Sequence, residues 1–297
     1  MIWCSGWKLA SAVSNAGGLG LIGAGSMSPE ILEEHIVKCK KATRKPFGVN
    51  LPLLYPLIEQ QIETIIREEV KIIFTSAGNP MKYTSYLKEH GIIVVHVIAN
   101  VKSAQKCNEA GVDAIVAEGF EAGGHNGKEE TTTFTLIPLI RKSTGLPLIA
   151  AGGIATGRGM MAAMILGAEG VQIGSRFAAS EESSAHPLFK QKIIDAKDGE
   201  TLLSLKKISP VRLLKNNFFE KIHAMEQQGA TSDDFERVLG KGRARAGMFE
   251  GDIEEGELEI GQVAALINHT QPASEIIHEI MEQFNLSAEK IFDNHSF

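Results

Sequence analysis

Cysteine is scarce in this chain. Its 297 residues hold three, Cys4, Cys39 and Cys107, set far apart. An odd, dispersed set excludes a disulfide framework and a Cys-x-x-Cys metal site. It fits a reducing compartment, so a cytoplasmic protein without a metal centre is expected. A basic surplus is missing as well. Lys plus Arg number 30 against 36 Asp plus Glu, a net charge of −6 with both signs spread along the sequence. Nucleic acid is therefore not expected as a partner, and the group Lys241, Arg243, Arg245 reads as a solvated face. No apolar run approaches the roughly 18 residues that span a bilayer. The first residues lack the basic, apolar and small-residue order of a signal peptide, and no membrane partner is expected.

What the chain does have is an ordinary hydrophobic content, 43%, set out as a regular alternation of helical spacing and short apolar runs. Apolar runs predict strands at 19–24, 46–51, 71–76, 92–98, 113–117, 147–151 and 170–174, with helices between them. Ser28-Pro29-Glu30, a cap, an N1 proline and an acid, opens one of those helices. Gly18 to Gly23 spells G-x-G-x-x-G, but here a helix feeds a strand, the reverse of the order that dinucleotide binding requires. Continuous apolar strands imply a parallel sheet covered on both faces. Near-equal βα spacing favours a TIM-type (β/α)8 barrel over an open doubly wound sheet. One strand is missing from the count: the first helix, 7–16, has no strand before it, so Met1 is expected at the C-terminal end of the place of strand one. The barrel is assigned to 1–183. Residues 184–260, with helical pieces at 188–196, 211–227 and 233–239, read as a helical cap over the active-site face, and 261–297 as helices closing the barrel.

The functional face of such a barrel is the one at which its strands end. Asn50 follows one strand, Ser76 to Asn79 another, and Glu118 to Gly127 a third; this last loop spends four glycines in ten residues around His125. So many positions free of side chain suit a tight turn or a close ligand, and His125 is the side chain there that titrates near neutrality. Gly152 and Gly153 follow the next strand, and Gly174 and Ser175 the last. Backbone N–H groups left bare by glycine suit a phosphate, and the Ser175 hydroxyl adds a donor.

Five motifs then carry a resemblance. Glu-Ala-Gly-Gly-His-Asn-Gly at 121–127, Ala-Ala-Gly-Gly-Ile-Ala at 150–155, Gln-Ile-Gly-Ser-Arg-Phe at 172–177, Pro-Phe-Gly-Val-Asn at 46–50 and Ala-Gly-Gly-Leu-Gly at 16–20 resemble the FMN-dependent nitronate monooxygenase (2-nitropropane dioxygenase) family, which also contains the flavin-dependent enoyl-acyl-carrier-protein reductase. The resemblance covers nearly the whole chain. It implies FMN as cofactor, with its phosphate at Gly153, Gly174 and Ser175, Gly152 beside it, and Asn50, Glu118, Gly124 and Gln262 as flavin neighbours. Met1 matches the last residue of the family's flavin-touching Gly-Gly-Met, and His125 matches its active-site histidine. In one branch a lysine follows the histidine of the fifth strand; here Val97 follows His96, which sets the chain apart from that branch and leaves His96 a packed strand residue. The leading expectation is oxidation of alkyl nitronates by dioxygen to a carbonyl compound and nitrite. The alternative is reduction of an enoyl thioester with NAD(P)H, a flavin-binding barrel without turnover is a third reading, and a homodimer is left open.

Overall fold

The computed structural model describes residues 2–293. It contains ten strands: β1 (Gly20–Gly23), β2 (Phe47–Pro52), β3 (Ile72–Ser76), β4 (Ile93–Ile98), β5 (Ala114–Glu118), β6 (Gly124–His125), β7 (Leu148–Ala151), β8 (Gly170–Gln172), β9 (Thr201–Ser204) and β10 (Val211–Leu214). Seven of them form one sheet in the order β1-β2-β3-β4-β5-β7-β8 with parallel neighbours throughout. The order never reverses, so this is the singly wound, barrel-type arrangement and has no switch point of a doubly wound sheet. The seven strands are those the apolar runs predict, within two residues at each end. β1 and β8 stand at the edges, in keeping with a barrel short of one strand.

Alternation along the strands divides the core into two layers. Val49, Leu51, Ile73, Val94, Ile115, Ala117, Leu148 and Ala150 face the helices. Leu21, Phe74, Val95, Val116 and Ala151 pack together on the opposite, inner face. Both faces are apolar, which is why the strands read as continuous hydrophobic runs. Close packing explains one glycine of the discounted G-x-G-x-x-G string: a Cβ at Gly20 would lie 1.8 Å from the Ala10 carbonyl oxygen of helix Trp7–Asn15. The glycine serves helix-on-strand contact, not a pyrophosphate.

The helix Pro29–Ala42 begins where the cap signal places it, with Ser28 accepting from the Ile31 N–H. The C-terminal helix Ala273–Asp293 packs on both Trp7–Asn15 and Gly157–Ile165. Leu9, Phe177, Ile276 and Ile280 form the contact, so this helix bridges the seam between the two edges of the sheet. No helix among the described residues is long and apolar enough to cross a membrane.

Three expectations need correction. The stretch 184–260 is not wholly helical: β9 and β10 form an antiparallel pair inside it, and β10 takes the start of the helix expected at 211. Val211, Arg212, Leu213 and Leu214 are all buried, and a four-residue strand buried on both faces carries no alternation to separate it from the helix that follows. Second, 262–266 is a 3-10 turn rather than an α-helix. Third, Arg243 is not a solvated cation. It is half-buried, donating to the Val238, Leu239 and Glu255 carbonyls and lying over the Phe218 ring.

Candidate active site

The inner face ends in polar side chains. Asn50 lies level with Phe74 of the inner cluster and donates to the Phe74 carbonyl and the Ser76 hydroxyl. Glu118, in phase with Ala114 and Val116 of that cluster, ends β5. Across the sheet Glu118 stands beside Ala151, and Ala151 beside Gln172. Two strand spacings, roughly 10 Å, therefore separate the backbones of Glu118 and Gln172 on one rim. Burial holds the Glu118 carboxyl up at about 7, and no hydrogen bond from the described residues offsets it. Gln172 Oε1 is buried without a hydrogen-bond partner among the described residues. Sequence reasoning missed Gln172, although the residue opens the motif quoted at 172–177; its alternation with Val171, which faces the helices, was the available signal.

The glycine-rich loop leaves Glu118 under tight control. The Gly119 N–H donates to the Ala151 carbonyl, and a Cβ at Gly119 would sit 2.0 Å from Thr133 Oγ1. The Glu121 carboxylate accepts from the Thr133 N–H and hydroxyl. Gly123 lies against the Ile260–Gly261 backbone, 2.4 Å from a Cβ it does not have. The next two residues are not a free loop. They form β6, antiparallel to β10, with Gly124 opposite Arg212 and His125 opposite Val211. His125 is exposed on that short strand.

The segment 257–260 continues along the same edge of β10: Glu259 bridges Leu213, and the Leu214 N–H donates to the Leu258 carbonyl. This brings Glu259 against Gly124. Gly124 has φ +74°, and a Cβ there would lie 2.5 Å from Glu259 Oε2, so two separate constraints require glycine. Glu257, two residues back in the same segment, is near enough to interact electrostatically with His125. Burial and then the like charge of Glu259 push the Glu257 carboxyl up to about 7, His125 opposing; burial pushes Glu259 to about 7. Neither acid was picked out from the sequence, because the juxtaposition with His125 is made by β10, a strand that was not foreseen.

The turns at 152–153 and 174–175 follow adjacent strands. Gly152 and Gly153 have φ +85° and +69°; a Cβ at Gly152 would meet the Gly119 carbonyl oxygen at 2.6 Å, and one at Gly153 the Glu121 side chain at 3.2 Å. Packing on the 118–127 loop is thus one reason for glycine at both positions. Gly174 precedes a short helix, Ser175–Ala178, and Ser175 Oγ accepts from the Gly261 N–H at 3.0 Å. The Gln262 N–H donates to the Glu121 carbonyl, while Gln262 itself is exposed. Gly261 and Gln262 therefore tie the loop that bears His125 to the turn that bears Ser175. Met1 lies outside the described residues. His96 faces the helical layer, bonded to Thr75 Oγ1 at 2.7 Å, and burial lowers its pKa to about 4, so it is a neutral core residue apart from the rim.

An FMN-sized ligand suits this rim on two observations. Gln172 Oε1 is a buried amide oxygen with no partner among the described residues, and the Glu118 carboxyl, raised to about 7 by burial, is partly protonated at neutral pH and can donate as well as accept. In the turn after the neighbouring strand, Gly152 and Gly153 hold left-handed backbone at φ +85° and +69°.

Comparison with known proteins agrees with the barrel. The family model described as nitronate monooxygenase matches residues 1–59 and 55–283. A Mycobacterium tuberculosis protein named (3aS,4S,5R,7aS)-5-hydroxy-7a-methyl-1-oxo-octahydro-1H-indene-4-carboxyl-CoA dehydrogenase is 31% identical, over 95% of this chain and 90% of its own. A probable nitronate monooxygenase of Staphylococcus aureus (strain MSSA476) is 34% identical, over 94% of this chain and 90% of its own. Among solved structures, FabK from Thermotoga maritima superposes with a TM-score of 0.94 at 43% identity, covering 99% of this chain and 93% of its own.

Proposed function

This chain belongs to the nitronate monooxygenase family of FMN-dependent oxidoreductases, and on that footing we propose that it reduces the double bond of an enoyl thioester with NAD(P)H as the electron source. The observation that carries the reading is the 43% identity with FabK over 99% of the chain, FabK being taken as the enoyl-acyl-carrier-protein reductase of the family. The relative named probable nitronate monooxygenase stands at 34%, and nitronate oxidation by dioxygen is the second reading on that account.

FMN supplies the electron transfer. The residues of this chain supply grip and proton. Gly152, Gly153, Gly174 and Ser175 hold the phosphate, and Asn50, Glu118, Gly124, Gln172 and Gln262 surround the remainder. His125 delivers the proton that the substrate α-carbon gains. Two features support this role: the imidazole is exposed on β6, and the Glu257 carboxyl, which feels its charge, titrates within reach of neutral pH, which suits a proton reservoir.

Anaerobic mixing of the yellow holoenzyme with NADH or NADPH and a crotonyl thioester should consume nicotinamide and thioester in equal amounts. The contrasting assay is oxygen uptake and nitrite release from propyl-2-nitronate. Nitronate turnover without thioester reduction would replace the proposal with the monooxygenase reading.

A further inference from the structure

Arg212 is a cation where the fold could have used an apolar residue. It stands at the centre of the three-stranded sheet, opposite Gly124 on one side and Leu203 on the other, and is 1% exposed. Among the described residues its hydrogen bonds all go to main-chain carbonyls. Nε and Nη2 both donate to Phe120, at 3.2 and 2.8 Å, and Nη1 donates to Thr201 at 3.4 Å. The guanidinium also lies 4.4 Å from the Phe120 ring centroid. Glu121 and Glu130 face its charge only at longer range. Burying a guanidinium without a carboxylate is unfavourable, so its presence calls for something that only its planar fork provides.

That something is Phe120. This residue lies in the middle of the loop from Glu118, on the rim, to His125, on β6. Two donors on one carbonyl and a guanidinium carbon 4.4 Å from the ring centroid hold both the backbone and the side chain of Phe120. The backbone of the same arginine pairs with Gly124 and so fixes the far end of the loop. We propose that Arg212 is a positioning residue: by clamping Phe120 and Gly124 together it sets the imidazole of His125 relative to Glu118 and the rim. Lysine can neutralise the same space but has no fork to grip one carbonyl twice and no plane to stack. The inference rests on the reading of His125 as the proton donor, and its test separates the two.

Arg212→Lys and Arg212→Met are made in the holoenzyme, alone and combined with His125→Ala. The readouts are kcat, KM, bound-flavin content and the imidazole NMR signal of His125, assigned through its loss in His125→Ala. Arg212→Lys should lower kcat about ten- to a hundredfold with KM and flavin content unchanged, because displacement of a reacting group costs rate rather than affinity. It should shift the His125 signal and take nothing further from His125→Ala, the non-additivity of two residues acting through one step. Equal losses in both backgrounds, or an unmoved His125 signal with only the melting temperature lowered, would reduce Arg212 to scaffold. If His125→Ala turns over at the parent rate, the proton role of His125 fails, and the imidazole signal still decides whether Arg212 positions it. Should Arg212→Met fail to fold, the lysine variant carries the test.

Discussion

Replacing Gln172 by methionine should raise the stability of the flavin-free protein and weaken its hold on FMN. Gln172 Oε1 is buried and has no partner among the described residues. A buried acceptor left unsatisfied costs about 1–3 kcal/mol. Methionine keeps nearly the same length and volume and removes the acceptor, so the flavin-free chain should recover most of that amount. With an unfolding entropy of about 2.1 cal/mol/K per residue, the gain corresponds to roughly 2 to 5 °C in Tm. With flavin present the sign reverses, since a donor on the ligand now meets a thioether in place of an amide oxygen. A similar energy then appears as about a 5- to 150-fold rise in Kd. Calorimetry of the stripped protein and quenching of flavin fluorescence on binding measure the two halves separately. A destabilised flavin-free protein with unchanged FMN affinity would refute the placing of Gln172 on the ligand face.

Three further outcomes follow from the same geometry. His125→Ala should keep bound flavin and lose about 10² or more in kcat with the thioester, checked by steady-state kinetics beside the visible spectrum; undiminished turnover would take the imidazole out of the reaction. The stability of the flavin-free protein should fall as pH rises. Glu118, Glu257 and Glu259 have folded pKa values near 7, above the ordinary 4.5, so between those values the folded state retains protons that the unfolded chain has released. Melting temperatures from pH 5 to 8 test this, and a slope as steep in Glu259→Gln as in the parent would acquit that residue. Gly124→Ala should destabilise by about 1–3 kcal/mol through its left-handed backbone and the Glu259 carboxylate. Gly145→Ala, where a Cβ meets nothing within 4 Å, is the neutral control in the same denaturation series.

The core of the barrel was legible because strand and helix signals there are local. An inner and an outer face that are both apolar make each strand a continuous run, and caps such as Ser28 mark where helices start. The strand ends were legible for a related reason: the apolar runs locate the C-terminal ends of the parallel strands, and there the structure has Glu118 closing β5 and Gly152 following β7, while Asn50 lies inside β2. The cap was not legible to the same degree. Val211 to Leu214 is too short and too uniformly buried to show a period, and the helix after it captured the pattern.

By itself, then, the amino-acid order determined seven strands, their direction and the residues at their ends, since each depends on neighbours within about a dozen positions. Tertiary structure alone decided that His125 belongs to a strand, that Glu259 stands against Gly124 with Glu257 in electrostatic reach of His125, and that Arg212 grips Phe120 from 92 residues away. Those relations depend on pairing between segments far apart in the chain, and pairing of that kind leaves no periodic trace in either partner.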